Sequence, residues 1–219
     1  MAVPGRLPDL LGAMSLARAA GDWARVYRYA DRARSVGGGL AAQQGSYPLA
    51  FEAEVTAAAK AEGLPRMLLF AIMRKESGFD PTVVSYANAI GLLQMLPETA
   101  RRVADNKGRD LDDDELFAPA TNVTLGARYV GRLWKKFRGQ VPLVAAGFNG
   151  GSGAMMRWLK RLGPRPLDEF VELVPFHQSR EYAKLVAGNY ATYEWLYRGE
   201  LYVPPLEVEA KFEEDEVDY

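Results

Sequence analysis

The feature that most constrains this chain is an apolar helical segment, residues 65–77, that carries a glutamate near its end. Leu69, Ile72 and Glu76 are three and four residues apart, so they fall on one face of a helix. Gly78 suits the position just after a helix C-terminus, where glycine is favoured. The pattern therefore predicts a buried helix that presents the carboxylate of Glu76 at its tip.

Two effects should raise the pKa of a carboxyl group in such a place. Poor solvation disfavours the charged form, and the last turn of a helix carries partial negative charge. A carboxylic acid that stays partly protonated near neutral pH suits general acid catalysis. On spacing alone, a surface glutamate is the commoner case, so the interpretation of Glu76 depends on the rest of the chain.

The composition limits the other functions to be considered. The chain has 219 residues, of which 48% are hydrophobic and 25% charged, which suits one moderate domain with attachments. The net charge is -1 without a basic run, so nothing indicates a nucleic-acid partner. Cysteine is absent and His177 is the single histidine, which excludes a multi-histidine metal site. No stretch has the pattern of a signal peptide or the length of a membrane span.

Turn and charge signals divide the chain into three predicted parts. Residues 1–46 form a short helical linker, and the Gly37-Gly38-Gly39 run marks a hinge at its end. Residues 47–200 contain successive helical patterns and form the domain. Residues 201–219 form an acidic tail, predicted to be disordered from Lys211 onward.

Helical periodicity dominates the predicted domain. A helix capped by Thr121 or Asn122 and a last long helix that buries Leu185 are among those expected. Periodicity is lost after Asp80, which leaves room only for small strands near residues 81–95. The predicted fold class is all-α, mainly helical, with at most a very small β-sheet.

Four short motifs, in order and at the expected spacing, give the chain a resemblance to a known family. They are Glu76-Ser77, Gly91-Leu92-Leu93-Gln94-Met95-Leu96-Pro97, Gly147-Phe148-Asn149-Gly150-Gly151, and Val171-Glu172-Leu173-Val174-Pro175-Phe176 followed by Arg180 and Tyr182. Over roughly residues 47–198 the chain resembles the catalytic domain of the soluble lytic transglycosylases, lysozyme-like enzymes of bacterial cell walls. The helices before residue 47 resemble the end of the helical linker of longer members.

The resemblance implies a reaction on the glycan strands of peptidoglycan. The bond between N-acetylmuramic acid and N-acetylglucosamine is cut when the muramoyl C6 hydroxyl attacks C1, which leaves a 1,6-anhydro end. Glu76 would protonate the leaving oxygen and then take the proton of the C6 hydroxyl. No metal or organic cofactor is implied. The place of action is the periplasm or cell envelope, and other cell-wall enzymes are further candidate partners.

The resemblance also assigns residues to the substrate cleft, namely Ser85, Gln94, Met95, Phe148, Asn149 and Glu172. Ser85 and Gln94 would bond sugar or support the glutamate, although loop capping is the plainer alternative. Met95 would wall the cleft, or simply lie in the core. Asn149 would bond an N-acetyl group, or cap a helix end. Glu172 would meet the peptide side of the glycan, or be a solvated charge.

Phe148 departs from the family pattern. The family has tyrosine at this position, and the tyrosine hydroxyl bonds the catalytic carboxylate. Phenylalanine keeps the ring and loses that bond, which should raise the pKa of Glu76 further. We expect activity to be retained. Arg180 and Tyr182 are expected to be structural, packing the last helix across the domain.

Three alternatives remain open from the sequence. A hydrolytic muramidase on the same fold would give a product heavier by one water. A wall-binding module that has lost catalysis would bind walls and release no fragments. A purely structural helical-repeat protein would give no reason for the four motifs.

Overall fold

The computed structural model describes residues 5–104, 110–208 and 212, which are mainly helical. A 3₁₀ turn, Asp113–Phe117, lies between the sixth and seventh α-helices. The α-helices of the described residues, numbered in chain order, are α1 (Leu7–Ala19), α2 (Trp23–Ser35), α3 (Gly39–Ser46), α4 (Glu52–Glu62), α5 (Arg66–Glu76), α6 (Pro97–Val103), α7 (Pro119–Lys136), α8 (Val141–Gly150), α9 (Ser152–Leu162), α10 (Leu167–Glu172) and α11 (His177–Arg198).

Helix α5 is the centre of the fold. Every residue from 67 to 73 is buried, so this helix is covered on all sides rather than along one stripe. It packs against α4 and α11, and α11 packs in turn against α8. Ser77 is the C-cap and Gly78 follows with φ +56°, as the sequence predicts for the helix end.

The segment between α5 and α6 contains no β-strand. Its only extended pairings are single antiparallel bridges, between Val84 and Ile90 and between Ile90 and Met95. The all-α fold class expected from the sequence is therefore confirmed for the described residues. Within them, too, no helix combines the length and the apolarity needed to cross a membrane.

The Gly37-Gly38-Gly39 run differs from the predicted hinge. Gly39 begins α3, a helix that the sequence analysis did not predict. A Cβ at Gly38 would lie 2.6 Å from the Ala42 Cβ and 2.8 Å from the Ala33 carbonyl oxygen. Glycine is needed here because two helices meet closely at a packed corner, so the run is not a free linker.

Two further details of the helices differ from expectation. Helix α7 begins at Pro119 with Ala118 as its N-cap, and Asn122 lies inside the helix with its side chain buried. Leu185 is 50% exposed rather than part of the α11 core stripe. The apolar residue simply faces solvent, as a substantial fraction of apolar surface does in folded proteins.

The chain after α11 returns across the domain. Leu167 donates its backbone N–H to the Leu206 carbonyl, and Val208 donates to the Arg165 carbonyl, both at 2.9 Å. Val208 is buried at 2% exposure. The returning segment is held by these bonds and by Val208, while residues 201 and 203–207 stay exposed. Of the end predicted to be disordered, Lys211 and residues 213–219 lie outside the described residues, whereas the Phe212 ring meets the Phe137 ring at 6.2 Å. The proposed division at residues 46 and 200 stays a prediction.

Candidate active site

The carboxylate of Glu76 lies partly buried at the end of α5, where the sequence analysis expects it. The Tyr182 hydroxyl, on α11, donates a hydrogen bond of 2.5 Å to Glu76 Oε1. Burial raises the pKa of Glu76 above its usual value, while the Tyr182 hydrogen bond and the Lys75 charge act more weakly in the opposite direction. The expected upward direction is confirmed, and desolvation is its main cause.

The Phe148 ring lies between the rings of Tyr182, which bonds Glu76, and Tyr129. Its ring lies 6.3 Å from the Tyr182 ring at an interplanar angle of 15°, and 5.5 Å from the Tyr129 ring. Burial, followed by the nearby Glu76 charge, raises the pKa of Tyr182 well above its usual value, so its hydroxyl stays protonated. Phe148 therefore supports the ring whose hydroxyl holds the carboxylate.

Tyr182 is the functional candidate that sequence reasoning missed. The sequence analysis expected it to be structural and treated the Phe148 substitution as the loss of the hydroxyl that holds Glu76. In the structure that hydroxyl comes from Tyr182. Its place in the fourth motif was the available signal, but the motif alone does not show which face of α11 meets α5.

Ser77, which follows Glu76, connects the end of α5 to the second motif. Its hydroxyl donates to the Leu92 carbonyl at 2.9 Å and accepts from the Phe79 backbone N–H at 3.1 Å. The Glu-Ser pair is thus a structural unit as well as a sequence motif. The serine holds the Gly91–Pro97 segment against the end of α5.

Gln94 and Ser85 shape the loop of residues 83–95 from within. Gln94 has φ +45°, and its Nε2 donates to the Val83 and Gly91 carbonyls at 3.0 and 2.9 Å. Ser85 Oγ accepts the Ala89 backbone N–H at 3.0 Å. These bonds fit the loop-capping alternative for both residues, and a role with sugar stays a prediction.

Two neighbouring apolar residues of the second motif differ in exposure. Met95 is buried at 2% exposure, while Leu96 is 45% exposed. The Leu96 side chain is therefore accessible to a ligand at the surface. Met95 belongs mainly to the core. Its predicted contact with substrate therefore gains no support from its position and stays a prediction.

Asn122 is a second residue whose importance the sequence did not reveal. It is fully buried, and its Nδ2 donates to the Ile90 and Leu116 carbonyls at 2.8 Å each. Its Oδ1 accepts the Leu93 backbone N–H at 2.8 Å. The amide thus bonds Leu93 within the second motif, Ile90 just before it and Leu116 in the 3₁₀ turn, which fixes the turn of the second motif.

Asn149 and Glu172 are the last two residues that the sequence assigns to the substrate cleft. Asn149 Oδ1 accepts a hydrogen bond of 2.9 Å from the Ser179 hydroxyl, which ties the end of α8 to α11. Glu172 is 62% exposed at its side chain and pairs with Lys184 at 2.6 Å. Its predicted role toward the peptide side of a glycan remains untested.

Glu172 also lines a pocket on another part of the surface. This pocket, of about 950 Å³, lies between α10, α11 and residues 203–207, and its lining does not include Glu76 or Phe148. We place the chemistry at Glu76 because a carboxylate with a raised pKa and an aligned donor can transfer protons, whereas pocket size alone cannot. In the described residues, no group of three or more acidic, histidine or cysteine side chains could hold a metal ion.

Comparison with known proteins gives a consistent picture. Residues 54–170 match the family described as "Transglycosylase SLT domain". The soluble lytic murein transglycosylase of Salmonella typhimurium is 30% identical over 155 residues, which cover 67% of this chain and 23% of that protein. The chain thus spans about a quarter of the length of such curated relatives.

Two solved structures resemble this chain in fold. The lytic transglycosylase Slt of Pseudomonas aeruginosa, solved as an inactive mutant with glutamine in place of a glutamate, matches with a TM-score of 0.73 and 28% identity, over 86% of this chain and 30% of that one. The 70 kDa soluble lytic transglycosylase of Escherichia coli matches with a TM-score of 0.77 and 24% identity, over 86% of this chain and 30% of that one. The second likeness concerns the fold alone.

Proposed function

The chain belongs to the transglycosylase SLT domain family, and on that premise we propose that it is a peptidoglycan lytic transglycosylase with Glu76 as its catalytic residue. The observation that carries the proposal is the Glu76 carboxyl group itself. Burial raises its pKa, which favours the protonated form that a general acid needs, and Tyr182 orients one of its oxygens. Its place of action is the periplasm or cell envelope, where peptidoglycan lies.

The proposed reaction uses this one carboxyl group twice. The protonated form of Glu76 gives its proton to the glycosidic oxygen, and the bond between that oxygen and C1 of N-acetylmuramic acid breaks. The substrate's acetamide group stabilises C1. The resulting carboxylate then takes the proton of the muramoyl C6 hydroxyl as that oxygen bonds to C1. The products are a free N-acetylglucosamine end and a 1,6-anhydro end, and Glu76 is protonated again.

The surroundings of Glu76 suit this sequence of steps. Glycosidases that use water or a covalent intermediate place two carboxyl groups across the bond. Here Glu76 meets a tyrosine hydroxyl and, behind it, the Phe148 ring. An apolar setting favours ring closure over hydrolysis because it limits access of water to C1.

The proposal is tested by digesting purified peptidoglycan with the wild-type protein and with Glu76→Gln. We expect the wild type to release fragments whose mass is lower by one water than hydrolytic products, and Glu76→Gln to lose at least about a thousandfold in rate. The matched control is Glu98→Gln, since Glu98 is an exposed side chain on α6 paired with Arg102. It should leave the rate unchanged.

Two outcomes would contradict the proposal. Products carrying the extra water would indicate a muramidase. Binding to walls without release of fragments, unaffected by Glu76→Gln, would indicate a binding module that has lost catalysis.

A further inference from the structure

Arg74 connects the end of the catalytic helix to the N-terminal helices. It precedes Glu76 by two residues, and its guanidinium lies between two rings, 5.0 Å from the Tyr27 centroid and 4.2 Å from the Tyr47 centroid. Its Nε donates to the Ser46 carbonyl at 2.9 Å. Its side chain is only 14% exposed. One buried cation thus joins α5 to α2 and to the end of α3.

The same guanidinium also reaches α11, which carries the tyrosine that holds Glu76. Arg74 Nη1 donates to Asn189 Oδ1 at 3.0 Å, and Asn189 Nδ2 donates to the Ala71 carbonyl at 3.3 Å. Tyr182 lies seven residues before Asn189, so both lie on one face of α11 about two turns apart. The Asn189 contacts therefore fix how far α11 slides along α5, and with it the distance from the Tyr182 hydroxyl to Glu76.

Tyr27 covers the turn that follows Glu76. A Cβ at Gly78 would lie 3.1 Å from two carbons of the Tyr27 ring, and the Phe79 ring meets it edge-on at 5.7 Å. Gly78 and Phe79 have φ values of +56° and +70°. A non-glycine residue keeps such a conformation only when its surroundings hold it there. The Tyr27 ring is part of those surroundings.

We propose that Tyr27 and Arg74 are positioning residues for Glu76, so that the N-terminal helices are part of the catalytic apparatus. Tyr27 holds the turn on one side of Glu76 and stacks on Arg74. Arg74 in turn sets the alignment of α5 with α11. The inference rests on the proposed function, since positioning is measured by its effect on turnover.

A purely structural role predicts a different behaviour. If Tyr27 only adds packing, its loss lowers the melting temperature and leaves the turnover of folded protein unchanged. If it positions Glu76, kcat falls in protein that remains folded, because small misplacements of a catalytic group are costly. KM should stay nearly constant, because neither Tyr27 nor Arg74 is placed in the substrate cleft.

The experiment compares Tyr27→Leu, Tyr27→Phe and Tyr29→Leu in the full chain, at a temperature where circular dichroism shows each to be folded. Tyr29 is the matched control, since it lies on α2 and packs against the hydrophobic clusters formed by α1, α2 and α3. We expect Tyr27→Leu to lower kcat about tenfold with KM within about twofold. Tyr27→Phe keeps the ring and should restore kcat, and Tyr29→Leu should leave it unchanged. An unchanged kcat in Tyr27→Leu overturns the inference.

A second readout does not depend on turnover. The Glu76 carboxyl group can be titrated by carbon NMR, with its signal assigned by its absence in Glu76→Gln. Burial is the main cause of its raised pKa, so a loosened helix end that admits water should lower that pKa in Tyr27→Leu and not in Tyr29→Leu. If the wild type makes no anhydro product, the proposed function fails while this titration still decides the positioning role. Identical titrations in the two leucine variants overturn it.

Discussion

The protonation of Glu76 is influenced by burial and by two neighbouring side chains, with opposing effects. Burial at the end of α5 favours the protonated acid, whereas the Tyr182 hydroxyl and the Lys75 charge favour the carboxylate. A group that must first give a proton and then take one back needs both forms to be accessible. In the proposed mechanism, desolvation favours the acid form and one aligned hydroxyl favours the carboxylate, and each influence can be removed separately.

The hydroxyl of Tyr182 can be removed without removing its ring. In Tyr182→Phe the carboxylate loses its donor, so the pKa of Glu76 rises further. The proposed mechanism needs protonated Glu76 at its first step, so we expect activity to be lost as pH rises through this pKa. The alkaline limb of the pH profile of kcat/KM should therefore move to higher pH, and kcat should fall about tenfold as the carboxyl group loses its orientation.

Tyr193→Phe is the control for that variant. Tyr193 is buried on the same helix and donates to the Pro48 carbonyl at 3.1 Å. Its variant loses one buried hydrogen bond of α11 and should keep the wild-type pH profile. A Tyr182→Phe profile that coincides with the wild type would show that the hydroxyl does not set the pKa of Glu76.

Phe148 shows where residue-level reasoning from sequence succeeds and where it stops. The upward shift of the Glu76 pKa expected from burial is confirmed in direction. The further rise expected from the loss of a tyrosine donor is not found, because Tyr182 donates to the carboxylate. The substitution suggested that the carboxylate had lost its tyrosine donor. A tyrosine thirty-four positions later in the sequence supplies the bond, and only the packing of α8 against α11 brings the two rings together.

Among the elements, the turn of the second motif depends on a side chain from another helix. Asn122, on α7, bonds the backbone of Ile90, Leu93 and Leu116. A Cβ at Gly91 would lie 2.4 Å from the Asn122 amide nitrogen and 2.5 Å from the Leu116 carbonyl oxygen. Gly91 therefore leaves room for the Asn122 amide. This close approach is a physical reason for glycine at the first position of the motif.

Removal of the Asn122 amide should be costly for stability. Asn122→Ala removes three buried hydrogen bonds. The Ile90 carbonyl still accepts the Met95 N–H, but the Leu93 N–H and the Leu116 carbonyl lose the partner that Asn122 supplies, so the free energy of unfolding should fall by about 2–4 kcal/mol in urea denaturation. Thr124→Ala, at an exposed position on the same helix, should change it by less than about 0.5 kcal/mol. A midpoint for Asn122→Ala equal to that of Thr124→Ala would contradict this account of the turn.

The helices themselves were predictable to different extents. Periodicity predicted α5 within one residue at each end, because its apolar run and its terminal signals agree. Helix α3 was missed because three glycines at its start have low helix propensity, and tertiary packing of Gly38 outweighs that cost. Asn122 was predicted as a cap since that is the commoner use of asparagine near a helix start.

For the molecule as a whole, the main core runs from Ala50 to Val208, and the N-terminal helices pack against it through Trp23 and Tyr27. The sequence predicted an all-α domain, its family resemblance and its central carboxylate. It placed residues 201–208 in a tail outside the domain and did not predict that this segment returns to bond residues 165 and 167. Nor did it predict the buried contacts of Arg74, since pairings between distant elements leave no local pattern.

The central proposal is that Glu76 alone directs the muramoyl C6 hydroxyl, rather than water, to C1 of the same sugar. The most direct measurement is digestion of purified peptidoglycan by the wild-type protein in water enriched with heavy oxygen, followed by mass spectrometry of the released ends. The account predicts 1,6-anhydro ends that contain no heavy oxygen. Muramic acid ends that carry one heavy oxygen atom each would contradict it.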